Sequence, residues 1–164
     1  MGVTGDIVRA WRRPRQAMRQ QLGFGQREDR ALVFMALACG LIFIAQWPRL
    51  SREAALDPTI PYEVMIGGAL LGWVFLAPLG LYALAAVSHL LALLAGGQGN
   101  WYSARLALFW SLLVVSPIWL VNGLVAGLDG ATALKVLTGA VALASFLAIW
   151  LLSLYEAERG DGAL

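Results

Sequence analysis

The sequence has little charge, one cysteine and one histidine, and each scarcity excludes a class of protein. Of its 164 residues, 13% are charged and 60% are hydrophobic, whereas an average soluble domain is about 25% charged. Cys39 has no partner for an intramolecular disulfide, and with the lone His89 it gives no metal-ligand spacing. Because the apolar segments hold few convergent polar groups, the sequence predicts no catalytic residue, no cofactor and no metal site.

Four long hydrophobic runs account for this composition. The second run, residues 64–95, contains His89 but no Asp, Glu, Lys or Arg. Uncharged runs of about 18 residues or more are typical of transmembrane helices, because backbone amides in hydrocarbon must bond within their own segment. The sequence therefore predicts an all-α membrane protein. Its spans are expected at about 31–47, 64–95, 104–126 and 132–155, followed by a short charged tail at 156–164.

Prolines and glycines indicate where the predicted spans bend and end. Pro78 and Pro117 lie inside the second and third spans, and each is expected to kink its helix because proline lacks an amide donor. Residues 48–63 are predicted to form a polar loop with a helical turn or two near 51–56. A tight turn is expected at 127–130. The second run is too short for two crossings of a core about 30 Å thick, so it is expected to form one long helix.

Residues 1–30 form a basic segment that holds seven of the twelve Lys and Arg residues. Ile7, Val8 and Trp11 fall on one helical face, and Pro14 suits the first turn of a second short helix. The segment is therefore predicted to form two amphipathic helices on the membrane surface, the alternative being a disordered basic tail. The residues expected to bind anionic lipid headgroups are Arg9, Trp11, Arg12, Arg13, Arg15 and Arg19.

The distribution of Lys and Arg predicts the topology. With four spans, both termini lie on one side of the membrane, which then carries nine arginines, whereas the other side carries Arg49, Arg52 and Lys135. The positive-inside rule places both termini in the cytoplasm. The excess of Arg over Lys favours a GC-rich bacterial genome, and thus the bacterial inner membrane. Because the basic cluster adjoins a span, it predicts contact with lipid and not with nucleic acid.

Small residues four positions apart predict close helix packing. Gly68 and Gly72 share one face of the second span, and Gly123 and Gly127 share one face of the third. Helices in lipid associate through such faces, so the spans are expected to form a compact bundle. Four tryptophans inside the spans have three interpretations: lipid contact, filling of the bundle, or docking of a partner. They are Trp73, Trp110, Trp119 and Trp150.

Three segments taken together resemble a known family. They are the basic residues 12–15, the stretch 45–50 at the end of the first span, and the Gly-rich segment 96–101 that leads into 104–110. Their order over residues 7–127 is similar to the bacterial branch of the Yip family, whose eukaryotic relatives bind Rab GTPases in vesicle traffic. The resemblance implies a polytopic, non-enzymatic membrane protein. The family commonly has five spans, whereas this chain has four, and bacteria lack the Rab machinery.

Three functions are compatible with these patterns. The favoured one is a non-catalytic adaptor, scaffold or accessory subunit of a larger inner-membrane complex, with an integral membrane partner or a second copy of the chain. The second is a Yip-like protein that organises or shapes lipid through its basic amphipathic segment. The third is a small transporter or channel, in which Pro78 and Pro117 bend two helices around a cavity with His89 near its mouth.

Overall fold

The computed structural model describes residues 3–128 and 132–159, with side chains from residue 5 onward, and this part of the chain is helical with no strand. The elements are α1 (Val3–Arg12), α2 (Pro14–Leu22), α3 (Glu28–Leu56), α4 (Tyr62–Leu70), a π-helical segment (Leu71–Leu76), α5 (Ala77–Leu94), α6 (Trp101–Ala126) and α7 (Thr132–Glu158). We refer to α1 and α2 together as the N-terminal arm.

Four helices are long and apolar enough to cross a membrane. They are α3, the continuous helix from Tyr62 to Leu94, α6 and α7, with mean hydropathies of 1.9 to 2.1 in their most apolar windows. The predicted all-α fold with four spans is confirmed, and the chain is a multi-pass integral membrane protein. The N-terminal arm precedes the first span, as the sequence predicts.

The first span is longer than predicted, because α3 continues through Pro48 to Leu56. The predicted polar loop at 48–63 is therefore wrong over its first nine positions. An ion pair one turn apart, between Arg49 and Glu53 (2.7 Å), supports the helix beyond the proline. The helix ends where Asp57, which precedes Pro58, adopts an extended backbone.

The second span contains a π-helical segment two residues before Pro78. The amide of Ala77 donates to the carbonyl of Gly72, five residues back, so the turn is wider than an α-helical turn. The span continues to Leu94 and stops at Gly96, whose φ of 86° lies in the left-handed region that suits glycine. Pro78 and Pro117 both lie within continuous helical segments, and the kinks predicted at them remain predictions.

Helix α6 lies at the centre of the bundle. From Tyr102 to Ser116 all but one of its side chains are buried, including Phe109 and Trp110. Pro117 provides no amide for the carbonyl of Leu113, and the Ser116 hydroxyl donates to that carbonyl instead (2.8 Å). The core of the protein is therefore the first half of α6 together with the helices around it.

The N-terminal arm packs against the bundle. Ala10, Ala17 and Met18 are fully or almost fully buried, and α2 contacts α7. The indole nitrogen of Trp11 donates to the carbonyl of Val114 (3.1 Å). Val114 lies nine residues after Arg105, which is near the start of α6, and so about 14 Å further along that helix. Two helices form here, not a disordered tail, and part of their apolar surface contacts protein, whereas Val8 and Trp11 of the predicted apolar face are exposed. Contact of the arm with the membrane surface remains a prediction.

The end of α2, the start of α3 and the end of α7 lie at one end of the bundle, which we call the arm end. Arg19 of α2 pairs with Glu156 of α7, and Glu28 of α3 pairs with Arg105 of α6. At the opposite end the Arg52 guanidinium donates to the Leu128 carbonyl (2.8 Å). The turn predicted at 127–130 extends beyond the described residues from 129 onward. Because the described residues form an even number of spans, α2 and the end of α7 lie at the same end of the bundle.

Candidate functional site

A buried histidine and a buried glutamate meet at the arm end. His89 lies near the end of α5, and Glu158 is the last residue of α7. The His89 Nδ1 lies 2.8 Å from Glu158 Oε1, and the two side chains are 3% and 6% exposed. The ring of Trp101 packs edge-on against the His89 ring, with centroids 4.6 Å apart. Because α7 extends past residue 155, Glu158 belongs to the bundle and not to the predicted charged tail.

The glycine-rich loop 96–100 lies against the Glu158 carboxylate. The Gly99 amide donates to Glu158 Oε2 (3.1 Å), and the Gln98 amide donates to the Glu158 backbone carbonyl (2.8 Å). A Cβ on Gly97 would lie 2.9 Å from Glu158 Oε2, and one on Gly99 would lie 2.6 Å from the Ala157 carbonyl oxygen. Glycine is therefore required here for close approach to the end of α7. Asn100 and Ser103 then form a reciprocal capping box that begins α6.

This arrangement fastens three segments together. One carboxylate oxygen is bonded to His89 and the other to the Gly99 amide, so α5, the loop and α7 are joined at a single side chain. Among the described residues, no three His, Cys, Asp or Glu side chains are grouped as metal ligands would be. The sequence leaves open whether His89 is structural or part of a proton relay, and it shows no carboxylate within one helical turn. The carboxylate comes from a helix 69 residues away.

An open groove of about 480 Å³ lies beside the His89–Glu158 pair, between the ends of α5 and α7. Its apolar wall includes Ala92, Leu151 and Leu154, and its polar rim includes Gln98 and Arg159. The volume is within the range of pockets that hold small molecules. Sequence patterns gave no sign of this groove, because it depends on how the last turns of two distant helices are placed.

The six residues predicted to bind headgroups divide into two groups. Arg9 lies 3.5 Å from Asp6 and donates to Gln20 (2.5 Å), Arg19 pairs with Glu156, and Trp11 bonds to α6. These three hold the arm to itself or to the bundle. The side chains of the second group are exposed, and they form no ion pair within the described residues. They are Arg12, Arg13 and Arg15.

The two predicted glycine pairs have opposite surroundings. A Cβ on Gly123 would collide with the backbone carbonyl of Ala45, and one on Gly127 would lie 2.7 Å from the Pro48 Cβ. The third span thus approaches the first through this face. Gly68 and Gly72 have no atom of another part of the chain within 4 Å of such a Cβ. Their face of the second span is uncovered.

Comparisons of the chain with protein-family models, with curated proteins and with solved structures found no match. The resemblance to the Yip family remains a prediction from the three sequence segments. What can be inferred about function comes from the geometry of the bundle and of its arm end.

Proposed function

We propose that this protein is a non-catalytic adaptor or accessory subunit of a larger complex in the bacterial inner membrane, and that its second span binds a transmembrane helix of the partner. One observation carries the proposal. Only 6% of the most apolar window of the second span is buried within the chain, compared with 61% for α6. The second span is therefore held to the bundle at few points and offers most of its surface to a neighbour.

The uncovered glycines give this surface a shape that suits a helix. Gly68 and Gly72 lie one turn apart, with open space above both. Removal of side chains from one face of a helix lets a second backbone approach closely, which is how helices associate in lipid. A partner of this kind is an integral membrane protein with a small-residue face of its own, and a second copy of this chain is the alternative partner.

The filled centre of the bundle argues against the transporter or channel hypothesis. Phe109, Trp110 and Val114 are fully buried on α6 and occupy the space between the other spans. The Ser111 hydroxyl within this region donates to the carbonyl of Ala107 in its own helix (2.6 Å). A solute path needs polar groups that face a water-filled cavity, whereas the Ser111 hydroxyl is fully buried among packed side chains.

A second candidate function, the organisation of anionic lipid by a Yip-like protein, is favoured by the exposed arginines of the arm. Arg12 and Arg13 lie between α1 and α2, with both side chains exposed. If they bind lipid, an Arg12→Gln, Arg13→Gln variant will bind vesicles that contain phosphatidylglycerol more weakly than wild type, and the difference will shrink at high salt. Equal binding of both proteins would reject this function.

We further propose that both termini are cytoplasmic. In the predicted topology the side of the membrane that holds the N-terminal segment carries nine arginines, and the opposite side carries Arg49, Arg52 and Lys135. Single cysteines placed at residues 2 and 58 in a Cys39→Ala background test the orientation. In intact cells a membrane-impermeant maleimide is expected to label the cysteine at 58 and not the one at 2. The opposite labelling pattern would invert the topology.

The adaptor function is tested by native mass spectrometry after mild detergent extraction. Wild type is expected to be recovered with a stoichiometric partner, and a Gly68→Leu, Gly72→Leu variant is expected to lose it. The matched control is Val74→Leu, which adds bulk on the opposite side of the same helix, at an exposed position. Recovery of wild type as a lone monomer, or loss of the partner from the control alone, would refute the proposal.

A further inference from the structure

We propose that the groove between the ends of α5 and α7 binds one anionic phospholipid. In this assignment the lipid phosphate lies on the guanidinium groups of Arg15 and Arg159, and an acyl chain follows Leu154 and Leu151 toward the middle of the membrane. This site is separate from the uncovered glycine face on which the adaptor function rests.

The two arginines flank a single aromatic ring. The guanidinium carbon of Arg15 lies 4.7 Å from the centroid of the Tyr155 ring, and that of Arg159 lies 5.1 Å from it. A guanidinium stacked on a ring is held by its flat face, so its N–H edges remain available to bind a phosphate through two parallel hydrogen bonds. Within the described residues neither arginine has a carboxylate partner. Two cationic donors therefore lie beside the same groove-lining tyrosine.

In the described part of the chain two acidic side chains lie near Tyr155, and both are buried and bonded within the bundle, although Glu158 also lines the groove. Glu156 is 5% exposed and pairs with Arg19. Glu158 is 6% exposed, and its two oxygens are bonded to His89 and to the Gly99 amide. Because both carboxylates are engaged within the bundle, the outward charge beside Tyr155 comes from arginine among the residues that the structure describes. This charge is complementary to a phosphate diester.

The lower part of the groove is apolar and reaches the outer surface of α7. Ala92 and Leu154 line it, and Leu151, one turn further from the end of α7, is 58% exposed. Tyr155 lies where the apolar run of α7 gives way to charged residues, which is the depth at which aromatic residues meet lipid headgroups. A free phosphate ion would leave this apolar wall uncovered, whereas a phospholipid covers it with its chain and places its phosphate at Tyr155.

The test measures lipid retained by the purified full-length protein. Wild type is mixed in detergent with phosphatidylglycerol or with phosphatidylcholine of the same chains and examined by native mass spectrometry. One molecule of phosphatidylglycerol is expected to be retained, in preference to phosphatidylcholine. An Arg15→Gln, Arg159→Gln variant is expected to bind phosphatidylglycerol about tenfold more weakly, the cost of losing charge-assisted bonds to one phosphate.

Two further variants separate the groove from general surface charge. Arg27→Gln with Lys135→Gln removes the same charge at exposed positions away from Tyr155, and it is expected to retain the lipid as wild type does. Ala92→Phe fills the apolar part of the groove and is expected to lose the lipid with both arginines in place. Circular dichroism of each variant verifies that the helices are intact.

Three results would overturn the assignment. They are equal retention of both lipids by wild type, equal loss in the two variants that each remove two positive charges, and full displacement of phosphatidylglycerol by inorganic phosphate at equal concentration. The last result would mean that the site recognises the phosphate alone. None of these readouts depends on a protein partner, so the lipid site and the adaptor function fail or succeed separately.

Discussion

Helix α6 and the second span are almost equally apolar, yet they are buried to very different extents. Their most apolar windows have mean hydropathies of 1.9 and 2.0, whereas 61% and 6% of those windows are buried within the chain. Hydropathy determines that a segment enters the membrane. It does not determine which neighbour the segment packs against, because lipid tails are as apolar as leucine side chains.

Specific contacts account for the difference between the two helices. Along α6, Gly123 allows close approach to Ala45, and the Asn122 amide donates to the Lys135 carbonyl of α7 (2.8 Å). The second span has buried residues only in its α5 part, where Ser88 and His89 are enclosed, and none in α4. Small residues and polar bonds, which are concentrated on α6, therefore decide the arrangement of helices.

The largest effect is expected at Gly123. A leucine there would collide with the backbone of Ala45, so α6 and α3 would have to separate, at a cost of about 3 kcal/mol or more. Thermal unfolding in detergent, followed by circular dichroism, is expected to show a large fall in midpoint for Gly123→Leu. The matched control is Gly40→Leu on α3, since Gly40 has open space above it. Equal midpoints for the two variants would mean that this contact does not hold the bundle together.

A smaller effect is expected from breaking the His89–Glu158 pair. Removal of one partner leaves the other buried without its hydrogen bond, so His89→Ala and Glu158→Ala are each expected to lower stability by about 1 to 3 kcal/mol. The double variant is expected to lose much less than the sum of the two. The exposed pair of Arg27 and Asp29 is the control, and its removal is expected to change nothing measurable. Additive losses at His89 and Glu158 would show that the two side chains act independently.

The number of spans and most of their limits follow from the sequence. The second span was expected at 64–95 and runs from Tyr62 to Leu94, and the fourth was expected to end at 155 and ends at Glu158. These limits are local properties, since they depend on where apolar residues stop. The first span is the exception, because the pair of Arg49 and Glu53 extends α3 into residues that look like a loop by composition.

The arm end was not predictable, because its contacts join residues far apart in the chain. His89 and Glu158 lie on two helices whose relative position depends on the packing of the whole bundle. In the sequence Gly97 and Gly99 are only part of a Gly-rich segment, whereas in the structure they allow the loop to approach Glu158. One signal was present in the sequence. Glu156 and Glu158 directly follow an apolar span, where acidic groups near the membrane need a cation or an amide as partner.

The next smaller effect tests how the arm is attached to α6. Trp11→Phe keeps an aromatic ring but removes the donor to the Val114 carbonyl, so the arm is expected to lose about 1 kcal/mol of docking free energy. Hydrogen exchange is expected to become faster in α1 while α6 stays protected. Trp47→Phe is the control, because its exposed indole forms no hydrogen bond within the described residues. Unchanged exchange in α1 would show that apolar burial alone holds the arm.

The smallest effect on stability is expected at Gly72, and this variant distinguishes most clearly between the second span and α6. A Cβ at Gly72 would have no atom of another part of the chain within 4 Å, so the stability of Gly72→Leu is expected to match that of wild type within about 0.5 kcal/mol. The same substitution is expected to weaken partner binding, because the partner helix needs the space that glycine leaves. Loss of binding with unchanged stability would show that this face of the second span binds a partner and does not stabilise the fold. Lower stability of the isolated chain would instead mean that the second span is packed within the bundle, and the contrast with α6 would no longer hold.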